Sequence, residues 1–357
     1  MISDIQYLLW MQITKTPIAP NRFMDKEIIT TILRKENLIA GSEIEFTPLK
    51  GGVSSDIFLV SDGSKSIVVK QALPKLNVED DWYADISRNE NEQKFLQYLN
   101  KIKPEATPKL LYSNSEHSFF VMEFLDEWFK NWKKQMLNGV FDSQIAKKSA
   151  VLLATIHQES WKDDHLKQEF NKAKNFYELR TEPYLVTTGE RHPNLKDLFF
   201  DEVERLNKHQ EAIVHGDFSP KNIMVKNDRV VLLDHEVAWF GDPAFDLAFF
   251  LNHLYLKMLN HFKKTGKFED LTKIAWTTYF ESMGLEIEKQ MELRTIRLLL
   301  MMMLARIDGK SPVEYLETDQ QQFVRSFVKT YLQAGVYSHE EMNKNWKENL
   351  KQTFGED

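Results

Sequence analysis

Residues 213–225 read Ile-Val-His-Gly-Asp-Phe-Ser-Pro-Lys-Asn-Ile-Met-Val, and residues 230–236 read Val-Val-Leu-Leu-Asp-His-Glu. Each apolar run stands beside groups that handle protons or cations. Four residues separate Asp217 from Asn222, and the second run ends in Asp234. Between the runs, the polar tetrad 226–229 (Lys-Asn-Asp-Arg) has turn chemistry. Short apolar runs joined this way predict a β-hairpin. Folding it brings Asn222 and Asp234 side by side at its open end. Two oxygen ligands meeting at one point suit Mg²⁺, which prefers hard oxygens and keeps waters and phosphate oxygens. Asp217, on the loop before the hairpin, is placed to accept a proton from a hydroxyl attacking a γ-phosphate. The chemistry these residues point to is phosphoryl transfer, with Asp217 as base and Asn222 and Asp234 on the metal.

The elements that must position them lie mostly upstream. Residues 43–70 read as strands, with Asp62-Gly63 as a hairpin signal. Before that hairpin, Gly51-Gly52-Val-Ser54-Ser55 forms a loop whose backbone N–H groups can approach a phosphate closely. Lys70 closes an apolar strand ~20 residues later. Residues 82–100 predict a helix with Phe95, Leu96 and Leu99 on its apolar side. Glu90 and Glu92 point in different directions on that helix, so only one can face Lys70. Residues 107–112 and 117–125 read as two further strands. Residues 142–157 form an amphipathic helix, and His157 at its end is read as structural. Near the N-terminus, Asp25 is a candidate N-cap for a helix carrying Ile28, Ile29, Ile32 and Leu33.

The order His-x-Asp, four residues, Asn, then Asp resembles the kinase catalytic loop. Gly216, where protein kinases carry Arg, makes the stretch similar to the aminoglycoside phosphotransferase and choline kinase superfamily. These are small-molecule kinases with a protein-kinase-like fold. The resemblance covers residues 46 to about 248. It implies an α+β, two-lobe fold: a helical extension over 1–40, a β-rich small lobe over 41–125, and a mainly helical large lobe over 126–357. It implies ATP, or GTP in its place, together with Mg²⁺. Lys70 would hold the α- and β-phosphates, oriented by Glu92, with Glu90 as the competitor. Gly51, Gly52, Ser54 and Ser55 would cover the phosphates, although the loop departs from the Gly-x-Gly-x-x-Gly pattern. Residues 122–125 would be the hinge, its backbone at Glu123 and Leu125 reading the adenine edge. Asp234-x-Glu236 is similar to the family's metal motif, with Glu236 reaching a second metal or the acceptor. Asp246 is the expected N-cap of the following helix and would anchor the catalytic loop.

About a dozen residues separate Asp234 from Asp246, which leaves no room for an activation loop, and there is no Ala-Pro-Glu. The expected acceptor is therefore a small molecule with a hydroxyl group. Glu127, Glu182 and Glu236 would suit a cationic acceptor. Arg180 and Arg306 would suit an anionic or sugar-like one, and Tyr184, in the aromatic and charged segment 176–184, is a candidate contributor to substrate binding. Lys310 is a further candidate. The superfamily's acceptors include aminoglycosides, choline, ethanolamine, homoserine, fructosamine and methylthioribose, and the motifs do not choose among them. Two rival readings are a nucleotide-binding regulator without catalysis and a protein kinase. The first would show a broken base or metal ligand, and the second an Arg at 216 and a peptide platform.

The 357-residue chain is long enough for two lobes. Its net charge of −7 argues against general affinity for nucleic acid or anionic membranes. Cysteine is absent, so disulfides and thiolate metal sites are excluded. The first ten residues lack a basic leader, and the longest apolar run, 298–305, is too short to span a membrane. These features together lead to an expected cytoplasmic location. Oligomeric state is not legible.

Overall fold

The structure is a computed structural model that describes residues 25–49, 55–72, 88–171, 173–266, 270–335 and 338–355. The expectations for Gly51, Gly52 and Ser54 lie outside the described residues.

A five-stranded antiparallel sheet opens the fold, in the order β1-β2-β3-β5-β4. Its strands are β1 (Glu45–Pro48), β2 (Ser55–Ser61), β3 (Ser66–Ala72), β4 (Leu110–Asn114) and β5 (Phe119–Glu123). Period-2 alternation decides which face each side chain takes. Ile67 and Val69 of β3 join Val60, Phe119 and Val121 in a small core, sealed by Ile29 and Leu33 of the helix Lys26–Lys35. Asp25 caps that helix through the amide N–H groups of Glu27 and Ile28. Val68 and Lys70 take the opposite face and look into the cleft. Asp62 holds the β2–β3 turn, accepting from the N–H groups of Ser64 and Lys65.

The helix Arg88–Ile102 lies between β3 and β4 in sequence and packs against both the sheet and the body of the molecule. Phe95, Tyr98 and Leu99 belong to the large core that fills the rest of the molecule. The Tyr98 hydroxyl donates to the Ile156 carbonyl at 2.9 Å, on the helix Ser143–Glu159.

The large core holds two small sheets, β10-β7 and β6-β8-β9. Their strands are β6 (Lys130–Asn131), β7 (Ala212–Val214), β8 (Ile223–Lys226), β9 (Arg229–Leu232) and β10 (Trp239–Gly241). Strands β8 and β9 form a hairpin with Ile223 opposite Leu232, and the Leu233 N–H donates to the Asn222 carbonyl at 2.9 Å. Helices Ala244–Thr265, Leu271–Met283, Leu285–Asp308, Thr318–Ala334 and His339–Phe354 complete the fold. Residues 298–305 are wholly buried, as an unbroken apolar run requires. No described helix is long and apolar enough to cross a membrane.

One expected cap is corrected. Asp246 lies in the first turn of Ala244–Thr265 and not at its N-cap. The helix begins earlier because the Asp242 carboxylate takes the Ala244 N–H at 3.0 Å, and Pro243 suits a helix start. This frees the Asp246 carboxylate for another task.

Candidate active site

Lys70, at the cleft face of β3, meets both oxygens of Glu92 at 2.8 Å and Asp234 Oδ1 at 3.0 Å. Glu92 is buried on the inner side of its helix, whereas Glu90, two residues back, is exposed. Burial alone would pull the Lys70 ammonium down in pKa, but Asp234, Glu92 and Glu236 outweigh it and the net shift is upward. Glu92 is pushed up to about 7, by burial first and by the neighbouring Asp234 and Glu236 charges, against the pull of Lys70. Asp234 moves the other way: burial raises it, and Lys70 and Lys221 lower it further than that. Ligand oxygens of Glu92, Asp234 and Glu236 all lie within 4.8 Å of one another. Three carboxylates face two cations there, since Arg88 Nε sits 3.1 Å from Glu236 Oε2. The residual negative charge is what a divalent cation would neutralise.

Asp246 anchors the loop that carries Asp217. Its two oxygens accept from the His215 N–H at 2.6 Å and the Gly216 N–H at 2.8 Å. His157, on the neighbouring helix, reaches the same carboxylate at 3.3 Å and bonds to the Tyr279 hydroxyl at 2.8 Å. Gly216 adopts φ +77°, and a Cβ there would lie 3.1 Å from Val237 Cγ1 and 3.2 Å from the Val237 carbonyl. The Asp217 N–H donates to His215 Nδ1 at 3.1 Å, so the His215 proton sits on Nε2, facing His235 Nδ1 at 3.0 Å. Burial lowers the pKa of both imidazoles and keeps them neutral. The Asp217 carboxylate meets Arg180 Nη2 at 2.9 Å, and Arg180 Nε donates to the Gly216 carbonyl at 2.5 Å. Asn222 donates its amide N–H to the Asp217 carbonyl at 3.0 Å, leaving its side-chain oxygen available for a cation. Asp234 holds φ +67°, a left-handed conformation that is costly for a residue with a Cβ.

Lys70, Glu92, Asn222 and Asp234 line one cleft of about 700 Å³, with Leu49, Ile57, Val68, Met122 and Leu233 as apolar walls. Glu123 and Leu125 line its mouth, and Glu123 also pairs with Arg229 at 3.9 Å. Ser55 is buried at the start of β2. The acceptor candidates divide. Arg180 joins Asp217, as described. Tyr184 is buried, with its hydroxyl 3.3 Å from Arg306 Nη1. Glu182 is occupied by Lys310 at 2.6 Å, and Glu127 is exposed on the connection between lobes.

Sequence reasoning passed over Arg88, Asn91, Lys221 and Glu314. Asn91 bonds to the carbonyls of Glu236 (3.2 Å) and Ala238, fixing the segment after Asp234. Its spacing of one residue from Glu92 gave no sign of this, because helical phase against a distant loop is not a local property. Lys133, Lys221 and Glu314 line the cleft. Lys221, beside Asn222, could have been found from the catalytic stretch itself.

A family model described as "Phosphotransferase enzyme family" matches residues 45–267, more than half of the chain. A methylthioribose kinase of Enterobacter sp. (strain 638) is 25% identical over 252 residues, 60% of this chain and 61% of the relative. The chain thus spans about three fifths of the length of the curated relatives it matches. Two solved structures share the fold. A choline kinase from Cryptosporidium parvum superposes with a TM-score of 0.54 at 15% identity, covering 93% of this chain and 99% of the other. A Plasmodium vivax ethanolamine kinase gives 0.55 at 12% identity, over 93% and 96%. The two-lobe α+β architecture is the kinase-like fold of these neighbours.

Proposed function

Because the chain belongs to the phosphotransferase enzyme family, we propose that it transfers the γ-phosphoryl group of ATP to a hydroxyl of a small molecule. The observation that carries this reading is the convergence of Lys70, Glu92, Asn222 and Asp234 on one cleft, with Asp217 bonded to the same loop. Curated relatives named as methylthioribose kinases support the same reaction class.

Lys70, pinned between Glu92 and Asp234, is a preformed cation for the α- and β-phosphates. Asn222 and Asp234 would hold Mg²⁺, with Glu236 near enough to join, and this donor set of hard oxygens fits that ion. A bound Mg²⁺ supplies charge neutralisation for the transferring phosphoryl group. Asp217 orients the acceptor hydroxyl and takes its proton. Arg180 steadies that carboxylate and loses its hold on the Asp217 oxygen when a hydroxyl enters. Phosphoryl transfer needs little covalent help, so positioning and charge supply most of the rate. The segment from Asp234 to the helix at Ala244 is short and buried, and it offers no platform for a peptide.

The test is turnover of Mg·ATP against a panel of small hydroxyl compounds, with Asp217→Asn beside the parent. The substitution should lower kcat by about 10³-fold while nucleotide affinity stays within a factor of about three. Retained turnover in the variant would remove Asp217 from the role of base.

A further inference from the structure

Two basic side chains are buried in the large lobe without a carboxylate partner among the described residues. Lys257 is 2% exposed and Arg306 9% exposed. Among the described residues, neither has an acidic group within ion-pair distance. Lys257 Nζ reaches only His253, at 3.5 Å to both its Nδ1 and its carbonyl, and lies 5.2 Å above the Tyr315 ring. Arg306 uses Nη1 on Ser311 and the Tyr184 hydroxyl, and its Nε has no partner; neither does the Tyr315 hydroxyl. A basic group buried without a counter-charge either carries a costly charge or gives up its proton, and in both states it is ready to gain from an incoming anion.

Their place in the fold suggests a use. Phe249, His253 and Lys257 follow one face of Ala244–Thr265, the helix whose first turn anchors the catalytic loop. Phe249 packs under the Arg180 guanidinium, and Arg180 pairs with Asp217. His253 packs on Phe249, and Lys257 is the next step along the helix. The eight residues from Phe249 to Lys257 span about 12 Å of helix. Tyr184 bridges the same wall, packing on Phe249 and under Arg306. Beside Tyr315, Glu314 pairs with Lys133 at 2.5 Å, and both line the cleft. Arg306 and Tyr315 also lie beyond residues 45–267, so this part of the wall is not covered by the family match.

We propose that this wall is an anion subsite, and that the acceptor carries a carboxylate or phosphate group held by Lys257 and Arg306 while its hydroxyl faces Asp217. This rests on the phosphotransferase reading above. Burial and the positive charges of Arg306 and Lys133 push the Lys257 amine well below its ordinary range, against Glu314. His253 is lowered in the same way by burial, Lys257, Arg306, Lys133 and Lys221. An arriving anion reverses that balance for Lys257, so binding takes up a proton.

The experiment uses the full chain saturated with a non-hydrolysable ATP analogue and Mg²⁺. Matched compounds are titrated by calorimetry in two buffers of different ionisation enthalpy: ribose with ribose 5-phosphate, glycerol with glycerate and glycerol 3-phosphate, and neutral methylthioribose. One anionic compound should bind about a hundredfold more tightly than its neutral partner, with proton uptake. The two anion types separate carboxylate from phosphate. Lys257→Met should abolish both the preference and the uptake, and Lys257→Arg should keep the preference. Arg306→Met, read the same way, covers a poorly folded Lys257 variant. Neutral compounds binding as well as anionic ones, or weak binding by all of them, overturns the subsite. So does an anion affinity indifferent to both Met variants. The phosphotransferase reading fails separately, if the anion binds as described and the parent enzyme with ATP forms no phosphorylated product from any compound.

Discussion

Lys70 gives up nearly all contact with solvent and is repaid by carboxylates on two elements distant in sequence. Removing one partner of such a buried set costs more than removing the set, because the remaining charges stay desolvated. Lys70→Met should therefore destabilise the fold by about 3 kcal/mol in urea unfolding. Adding Glu92→Gln should restore much of that stability without restoring turnover. A single variant as stable as the parent would show the pair to be slack. The sequence was informative at this scale where chemistry is local. Asp217, Asn222 and Asp234 sit within 18 residues and could be named from spacing. Lys70 followed from a strand and a loop. Glu92 needed the phase of its helix, and Lys257 was hidden because a lysine in an apolar helix reads as a surface position. Only the fold places it 2% exposed.

Among the elements, the loop that carries Asp217 depends on one backbone conformation and one anchoring side chain. Gly216→Ala would add a Cβ to a residue at φ +77° with Val237 against it. The loop must then shift, and a displaced Asp217 loses alignment. We expect kcat to fall by about tenfold or more, nucleotide affinity to hold, and stability to drop by about 1–2 kcal/mol. Steady-state kinetics beside a thermal melt separates these effects, and an unchanged kcat would mean that the loop tolerates the change. The hairpin of β8 and β9 was readable because its turn tetrad and apolar runs are contiguous. The start of the helix at Ala244 was not. Asp242 and Asp246 are both acceptable caps by composition, and the choice between them was made by the loop that needed Asp246.

Across the whole molecule, His339 supplies a pH dependence far from the cleft. It stacks on Trp276 at 4.1 Å between ring centroids. Burial lowers its pKa from 6.5 to about 4, with Asp270 opposing and Lys347 and Lys273 assisting. The unfolded chain therefore binds a proton that the folded one refuses between those values. Stability should fall as pH drops from about 6.5 towards 4, by up to about 3 kcal/mol, and His339→Phe should flatten that slope. Thermal melts across this range measure it; identical slopes would acquit His339. The two-lobe plan was visible in the change from strand to helix patterning. The allegiance of Arg88–Ile102 was not, since its apolar residues say that it packs without saying on what. That allegiance has a mechanical meaning. Lys70 stands on the sheet, Glu92 on a helix that touches both sides, and Asp234 just past β9, so moving the sheet away from the β8–β9 hairpin stretches the Lys70–Asp234 pair first. On the proposed function, opening the cleft would weaken phosphate capture, and by thermodynamic reciprocity a bound nucleotide would resist opening to the same degree.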